Sequence, residues 1–575
     1  MSFASILRAI SLIAVIRLSF GIPTPLPSTQ RHTSRAINGT ESLGAVSCES
    51  ETCSQIGTTL LKEGGSAADA LVGTVLCVGV IGSYHSGIGG GGFGLVRDAN
   101  GSYEFVDFRE RAPAAAFEDM YNNDTDLSLY GGLASGVPGE LRGLEHIHKK
   151  HGLLPWSKVV QPAIDLARDG FRVTEDTVHY MASATDDDNF LVNDPTWAID
   201  FAPNGTLLGL GDTLTRKRHA NTLERIAQHG ADAFYSGWIA NATIAALQAA
   251  NGTMVLADLA NYTVAIREPL QIEYRGYKIT AASAPSSGTV VLSVFKAVEG
   301  YSGFGEPATL NLSTHRLDEA TKFGYGQRMM LGDPYFASGM DVYQHEMINE
   351  TTAAATRAKI SNYHTLNTSA YDPDGLITPQ THGTSGISAT DSTGLSISLT
   401  TTVNTLFGSR VMVPETGVIM NNEMNDFSIP GESNTYGYVA TEINYIRPFK
   451  RPLSSISPVI VEHLNTSDFY FVAAGAGGSR IITATIQSLW NVLDRNMTTA
   501  EALAEPRFHD QLIPNRMQLE WAYDNGTAAY LTALGHNITW VEEASSDIFA
   551  IRKLASGIFE AAAEPRQDNS GGSVV

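Results

Sequence analysis

The chain has 575 residues, 43% of them hydrophobic and 17% charged, with a formal net charge of −22. Those are globular proportions, and they exclude a disordered chain and a bundle of membrane helices. Negative charge on this scale repels nucleic-acid backbones and phospholipid headgroups, so no nucleic-acid partner is expected.

At the N-terminus, Arg8 precedes the apolar run Ala9 to Ile16, which gives way to Arg17 and the helix-breaking Ile22-Pro23-Thr24-Pro25. The run is far shorter than the roughly 20 apolar residues of a spanning helix. Residues 1–21 are therefore expected to be a signal peptide, with a short type II anchor as the alternative. Residues 22–43, rich in Pro, Ser, Thr and Arg, read as a leader or linker, and the folded part is expected from about residue 44. Export is supported by fourteen Asn-X-Ser/Thr sequons, where roughly four or five would arise by chance. A secreted glycoprotein is expected, bound for the exterior, the wall or a vacuole. The three cysteines, Cys48, Cys53 and Cys77, allow one disulfide and one odd thiol in an oxidising compartment. With no histidines clustered beside them, no metal site is expected.

Along the chain, Cys53 to Glu63 reads as a helix stopped by Gly64-Gly65, and Ser66 caps a second, buried helix to about Ile81. Phe93 to Arg97 and Tyr103 to Phe108 read as a strand pair turning at Asn100-Gly101. Residues 130–250 are mainly helical in pattern, and Pro269 to Ala281 returns to strand. Ala354 to Gly383 is polar and turn-prone, and reads as an exposed loop feeding a strand. Ile387 to Asn404 alternates with period two. Phe469 to Ala473 reads as strand and Arg480 to Leu493 as helix. Thr498-x-x-Glu501 reads as a capping box, and Arg516 to Trp521 and Ile538 to Glu542 as strands. The class is mixed α and β, with strands covered on both faces.

Gly87-Ile-Gly89-Gly-Gly-Gly92 matches G-x-G-x-x-G, but a helix precedes it and a strand follows, the reverse of a dinucleotide site. Close backbone packing explains it better, and no cofactor is expected. No G-x-S-x-G elbow, H-E-x-x-H motif or P-loop occurs. The strongest chemical candidate is Gly383-Thr384-Ser385-Gly386, at the loop-to-strand junction. If the bond before Thr384 is cut, that residue gains an α-amine about 3 Å from its own hydroxyl, with a pKa of about 7.7–8.0. One residue then supplies nucleophile and general base. Gly383 tolerates the strained dihedrals that self-attack needs.

The tetrapeptide alone would be an ordinary turn, but its surroundings are specific. Asp107-Phe-Arg109-Glu-Arg-Ala-Pro113, Tyr274-Arg-Gly-Tyr277, Pro285-Ser-Ser-Gly288, Thr402-Val-Asn404-Thr-Leu-Phe-Gly408-Ser409, Asn421-Asn-Glu423-Met-Asn-Asp426-Phe427, Arg451-Pro-Leu-Ser454-Ser455 and Gly475-Ala-Gly477-Gly478-Ser479 follow one another in order. From about Ala45 onward the chain resembles a γ-glutamyltransferase of the N-terminal-nucleophile hydrolase superfamily.

The resemblance implies an α/β fold, a four-layer αββα sandwich. It also implies a precursor cut between Gly383 and Thr384 into a large subunit, residues 44–383, and a small one, residues 384–575, held together as a heterodimer. By the same resemblance Thr384 is the nucleophile, and Thr402 bonds it and assists processing. Arg109 grips the substrate α-carboxylate with Ser454 and Ser455, while Asn404, Glu423 and Asp426 hold the α-ammonium. Gly477 and Gly478 form the oxyanion hole, and Cys53 and Cys77 form the disulfide. The implied donors are glutathione and other γ-glutamyl compounds, and the acceptors are water, amino acids or dipeptides. Taken singly, Arg109 reads more simply as a surface ion pair, Glu423 and Asp426 as turn caps, Ser454-Ser455 as a loop, and Gly477-Gly478 as a tight turn. Their joint order favours the functional reading.

There are departures. The family usually has His two residues after the nucleophile, where this chain has Gly386, and Ser388-Ala389-Thr390 replaces a Ser/Cys-Val-Val stretch. Slower processing or altered turnover is expected. Tyr436 is a candidate to close the site. The alternatives are a β-lactam acylase type of amidase in the same superfamily, and a catalytically silent secreted glycoprotein.

Overall fold

The Ser/Thr-rich alternation that begins at Thr384 is a hairpin, with strands Ser385–Asp391 and Ser396–Thr402. The turn lies at Gly394, whose φ of +90° favours glycine. The single strand expected over Ile387 to Asn404 is thus two. The computed structural model describes residues 42–575 except 123, 186–187, 372–382, 432–439 and 544–545. The expected signal peptide, His382 and Tyr436 lie outside the described residues.

The hairpin is the centre of a seven-stranded antiparallel sheet. Its order is Gly571–Val574, Gly44–Cys48, Ser385–Asp391, Ser396–Thr402, Gly91–Arg97, Tyr103–Asp107 and Ala265–Arg267. A six-stranded antiparallel sheet packs against it, ordered Phe559–Ala562, Asp547–Lys553, Phe469–Ala476, Val459–His463, Tyr277–Ala281 and Leu270–Tyr274. The expected strand Pro269 to Ala281 is likewise a hairpin, turning at Arg275-Gly276.

Helices Glu51–Lys62 and Ala67–Ile81 cover the outer face of the first sheet, and Gly288–Glu299 and Ile481–Leu493 that of the second. Each outer layer has its own apolar core. The architecture is the four-layer αββα sandwich. Its central strands, such as Ser385–Asp391, Ser396–Thr402 and Gly91–Arg97, are buried on both faces, as expected, while edge strand Leu270–Tyr274 is exposed on one.

The inner layer explains the alternation. Ser396, Ser398, Thr400 and Thr402 share one face with Ser388 and Gly386, and that face meets the second sheet. Ser398 Oγ donates to the Ala473 carbonyl at 2.6 Å, Thr400 Oγ1 to Gly475 at 3.1 Å and Ser388 Oγ to Phe549 at 2.7 Å. Ser47 Oγ donates to Ala562 at 2.8 Å. Small hydroxyl side chains thus let the two backbones approach closely. Gly386 sits where the approach is tightest. A Cβ there would lie 2.8 Å from both the Ala474 carbonyl oxygen and the Phe549 ring. The space a side chain would need is filled by the opposite sheet.

Local signals place the helices well. Ser66 and Asp69 form a capping box for Ala67–Ile81, and Thr498 and Glu501 another for Thr499–Ala504. Cys53 and Cys77 form a disulfide between the first two helices, and Cys48 is a buried free thiol. The glycines at 89, 90 and 92 press on the carbonyls of Ile419, Thr402 and Thr400, where a Cβ would collide. This is the backbone packing expected of that run. Among the described residues no helix is long and apolar enough to cross a membrane.

Replacing Gly386 with Ala should force the sheets apart. Overpacking of this kind costs about 1–3 kcal/mol. The expected result is a lower apparent melting temperature for Gly386→Ala in a thermal-unfolding scan.

Candidate active site

The row of hydroxyls between the sheets ends at Thr402, and beyond it the sandwich opens into a cleft. The cleft is lined by Thr384, Thr402, Asn404, Arg109, Glu423, Asp426, Ser454, Ser455 and Gly478, among others. Of the site residues expected from sequence, Gly477 is not part of the lining. It lies one residue behind Gly478, at the end of strand Phe469–Ala476. Both glycines are left-handed, with φ of +117° and +59°, which glycine adopts at low cost.

The Gly383–Thr384 junction is buried, not exposed as the loop composition suggests. Thr384 is 7% accessible. Its Oγ1 donates to the Gly383 carbonyl at 2.5 Å, and Thr402 Oγ1 donates to the same oxygen at 2.9 Å. The Asn404 amide donates to Thr402 Oγ1 at 2.7 Å, which fixes the direction of the Thr402 hydroxyl. Gly383 has a φ of +119°, and a Cβ there would stand 2.6 Å from the Asn404 carbonyl oxygen. Only glycine fits both constraints. Two hydroxyls therefore converge on one buried carbonyl.

The opposite wall is charged. Arg109, 1% accessible, forms ion pairs with both Glu423 and Asp426. These carboxylates come from one 3-10 turn, Glu423–Asp426. Burial opposes the charge on Arg109, but Glu423, Asp426 and Glu110 together hold its pKa above the ordinary value. Burial raises Glu423 well above the usual carboxylate range and raises Asp426 too, while Arg109 pulls both down. The expected carboxylate grip and the expected ammonium grip are thus paired with each other. A zwitterion can replace each partner with one of like charge. A ligand carrying only one charge would strand a buried ion, which is costly.

An ion network holds this wall in place. Asp107, at the end of its strand, accepts from the Arg109 amide at 3.0 Å and pairs with Arg267 at 2.7 Å and Arg451 at 3.2 Å. The Arg451 amide donates to Asp333 at 3.0 Å. Arg451 opens the segment carrying Ser454 and Ser455, so the network fixes both carboxylate-binding candidates relative to each other. Asn444 bridges in the same way. Its Nδ2 donates to the Asp426 carbonyl at 2.8 Å, and its Oδ1 accepts from the Leu453 amide at 3.0 Å.

Sequence reasoning missed Asn444, Ser428, Thr441 and Arg328, which also line the cleft. None lies in a patterned stretch, and only the tertiary fold brings them in. His315, Glu319 and His536 are the one metal-like cluster among the described residues, and none of them lines the cleft. Their atoms are already engaged. His315 Nδ1 meets His536 Nε2 at 2.7 Å, and Glu319 pairs with Lys322 at 2.6 Å.

The geometry is matched by the comparisons. The family model described as Gamma-glutamyltranspeptidase matches residues 53–574. The chain belongs to this family. It is 53% identical over 544 residues to a glutathione hydrolase proenzyme from Arthroderma benhamiae, covering 93% of each chain. It is 47% identical over 567 residues to a glutathione hydrolase from Aspergillus flavus, covering 98% of this chain and 94% of that one. Among solved structures, a cephalosporin acylase from Bacillus halodurans superposes with a TM-score of 0.83 at 24% identity, over 96% of this chain and 99% of that one. At that identity the likeness speaks for the fold alone. Within this gamma-glutamyltranspeptidase family chain, the sandwich and cleft follow from the residues already described.

Behind Thr402 lies one more titrating group. Glu140 is buried, and its carboxylate accepts from Thr401 Oγ1 at 2.9 Å. Burial pushes its pKa from 4.5 up to about 8. The folded state thus keeps a proton that the unfolded chain has released. The stability this contributes is intact below the ordinary carboxyl pKa and is lost as pH rises through about 8. The apparent melting temperature should fall between about pH 5 and about pH 8. Glu140→Gln, which mimics the protonated form, should show a smaller fall across that window in parallel thermal scans.

Proposed function

We propose that this chain is a self-processing γ-glutamyltransferase and glutathione hydrolase, with Thr384 as nucleophile. The observation that carries this is the convergence of the Thr384 and Thr402 hydroxyls on the Gly383 carbonyl, opposite the Arg109–Glu423–Asp426 wall. In the precursor, Thr384 Oγ1 attacks the Gly383 carbonyl carbon, and Thr402 polarises the carbonyl oxygen. The C–N bond breaks, its nitrogen takes the hydroxyl proton, and an ester links Gly383 to Thr384. Water hydrolyses the ester, leaving a Gly383 carboxylate and the free α-amine of Thr384.

That amine then serves as general base for the same hydroxyl. A γ-glutamyl donor enters with its α-carboxylate at Arg109, Ser454 and Ser455 and its α-ammonium at Glu423, Asp426 and Asn404. Thr384 attacks the γ-carbonyl, and backbone N–H groups at Gly477 and Gly478 receive the oxyanion. The amine of the donor leaves with a proton, and a γ-glutamyl ester remains. Water releases glutamate, or the amine of an amino acid or dipeptide takes the γ-glutamyl group. Glutathione is the natural donor in this reading. Gly386 leaves no side chain beside the nucleophile, and slower processing is its expected consequence.

The large segment, 44–383, and the small one, 384–575, are expected to stay together. In the seven-stranded sheet, strands 44–48 and 91–97 flank the small segment's hairpin, and strand 571–574 pairs with 44–48. Separation would break several strand ladders. Secretion is supported by the disulfide and by the sequons. Eleven of the twelve described sequon asparagines are exposed, and only Asn311 is half-buried.

The first test is a denaturing gel of purified protein. A smaller band beginning Thr-Ser-Gly-Ile is expected, and Thr384→Ala should give one uncut chain. An active wild type that remains a single chain would overturn the mechanism. Next, kcat/KM should favour a γ-glutamyl amide over the matching glutaryl amide, which lacks the ammonium, by at least about a hundredfold. Preference for the glutaryl amide would point to the acylase type of activity.

A further inference from the structure

The carboxylate side of the cleft has a second arginine, which the mechanism above does not use. Arg328 ends helix Leu310–Arg328, and its side chain is 3% accessible. Its Nε donates to Ser287 Oγ at 3.0 Å, and its Nη2 donates to Ser455 Oγ at 3.1 Å. A guanidinium only donates, so each serine must receive it as an acceptor and aim its own hydrogen elsewhere. For Ser287 that hydrogen goes to the Ser454 carbonyl, at 2.5 Å. The Ser454 hydroxyl in turn accepts from the Ile456 amide at 3.2 Å, and the Ser454 amide donates to Pro285 at 2.9 Å. The Ser455 hydroxyl, half-buried at the cleft wall, is left to offer its hydrogen inward.

One side chain therefore sets both the position of the Ser454 backbone and the polarity of the Ser455 hydroxyl. It also brings a second positive charge close to Arg109 and Asp426, whose fields it feels. Arg109 is already shared between two carboxylates. We propose that Arg328 is a positioning and specificity residue for the donor's α-carboxylate, orienting Ser454 and Ser455 as hydrogen-bond donors and selecting an anion over a neutral group. This rests on the γ-glutamyl reading above. A neutral α-carboxamide could still accept from Ser455, but it brings an NH2 group that Arg328 and a donor-oriented hydroxyl both oppose.

The test compares two donors on processed enzyme, γ-glutamyl-p-nitroanilide and the same compound with its α-carboxylate converted to carboxamide. In the wild type, kcat/KM should favour the carboxylate strongly. Arg328→Met should lower that preference by about tenfold or more, chiefly by raising KM for the carboxylate donor. Adding Ser455→Ala to Arg328→Met should change the preference by less than about twofold, because the two act through one contact. If Arg328→Met weakens both donors equally and leaves the preference unchanged, Arg328 is only a structural brace and the proposal fails. Should that variant not fold and process, Arg328→Lys takes its place. Lysine keeps the charge but cannot span both serines, so a drop of severalfold is expected, and an unchanged preference overturns the proposal. Wild-type protein that turns over neither donor would sink the γ-glutamyl reading, and this proposal with it.

Discussion

The two sheets approach closely because serine and threonine hydroxyls of one donate to main-chain carbonyls of the other. Elsewhere between the sheets Leu95, Ile460, Val472 and Ile551 form an apolar layer, of the kind that holds sheets about 10 Å apart. At the hairpin a hydroxyl spans the gap, and at Gly386 no side chain fits at all. Thr402 belongs to this row of hydroxyls by register, lying beyond Thr400 on the same face. What would be another sheet-to-sheet bond becomes, at the open end, a bond to the Gly383 carbonyl. The site is therefore the last position of a structural repeat. Its precision comes from the strand pairing beneath it.

The charged wall works by a different principle. Burying Arg109 with Glu423 and Asp426 costs desolvation on every partner, and only their mutual attraction offsets it. That balance leaves the buried charges paired, yet open to exchange. A ligand with one positive and one negative group separated as in an α-amino acid can replace both contacts at once. Selectivity here comes from the penalty on incomplete ligands at least as much as from attraction to the right one. The network from Asp107 through Arg451 to the Ser454 segment keeps the two halves of the grip at fixed spacing.

Much of this was legible in the sequence. Thr384, Arg109, Glu423, Asp426 and the serine pair were named from ordered motifs, and the structure gathers them around one cleft with Gly478. Capping residues placed Ala67–Ile81 and Thr499–Ala504 well, because a cap is a local signal. Two kinds of feature were not legible. Polarity misled wherever polar groups were satisfied internally. The polar stretch before Thr384 suggested an exposed junction, yet Gly383 and Thr384 are buried. Single residues brought in by tertiary contact were also missed. Arg328 at a helix end and Asn444 in the 3-10 turn Glu442–Asn444 carry no periodicity, and their roles depend on partners brought in by the fold, such as Ser455 for Arg328 and Asp426 for Asn444.

The strand order bears on how the protein is made. The last strand, Gly571–Val574, pairs with Gly44–Cys48, and the Val575 amide reaches Gly44. Gly44–Cys48 in turn supports the strand that follows Thr384. Gly571–Val574 lies far downstream of Thr384 in the chain, so this edge of the sheet forms only once the chain has been made that far. A chain that stopped short of Gly571 would lack the strand beside Gly44–Cys48, and with it the outer support of the strand that follows Thr384.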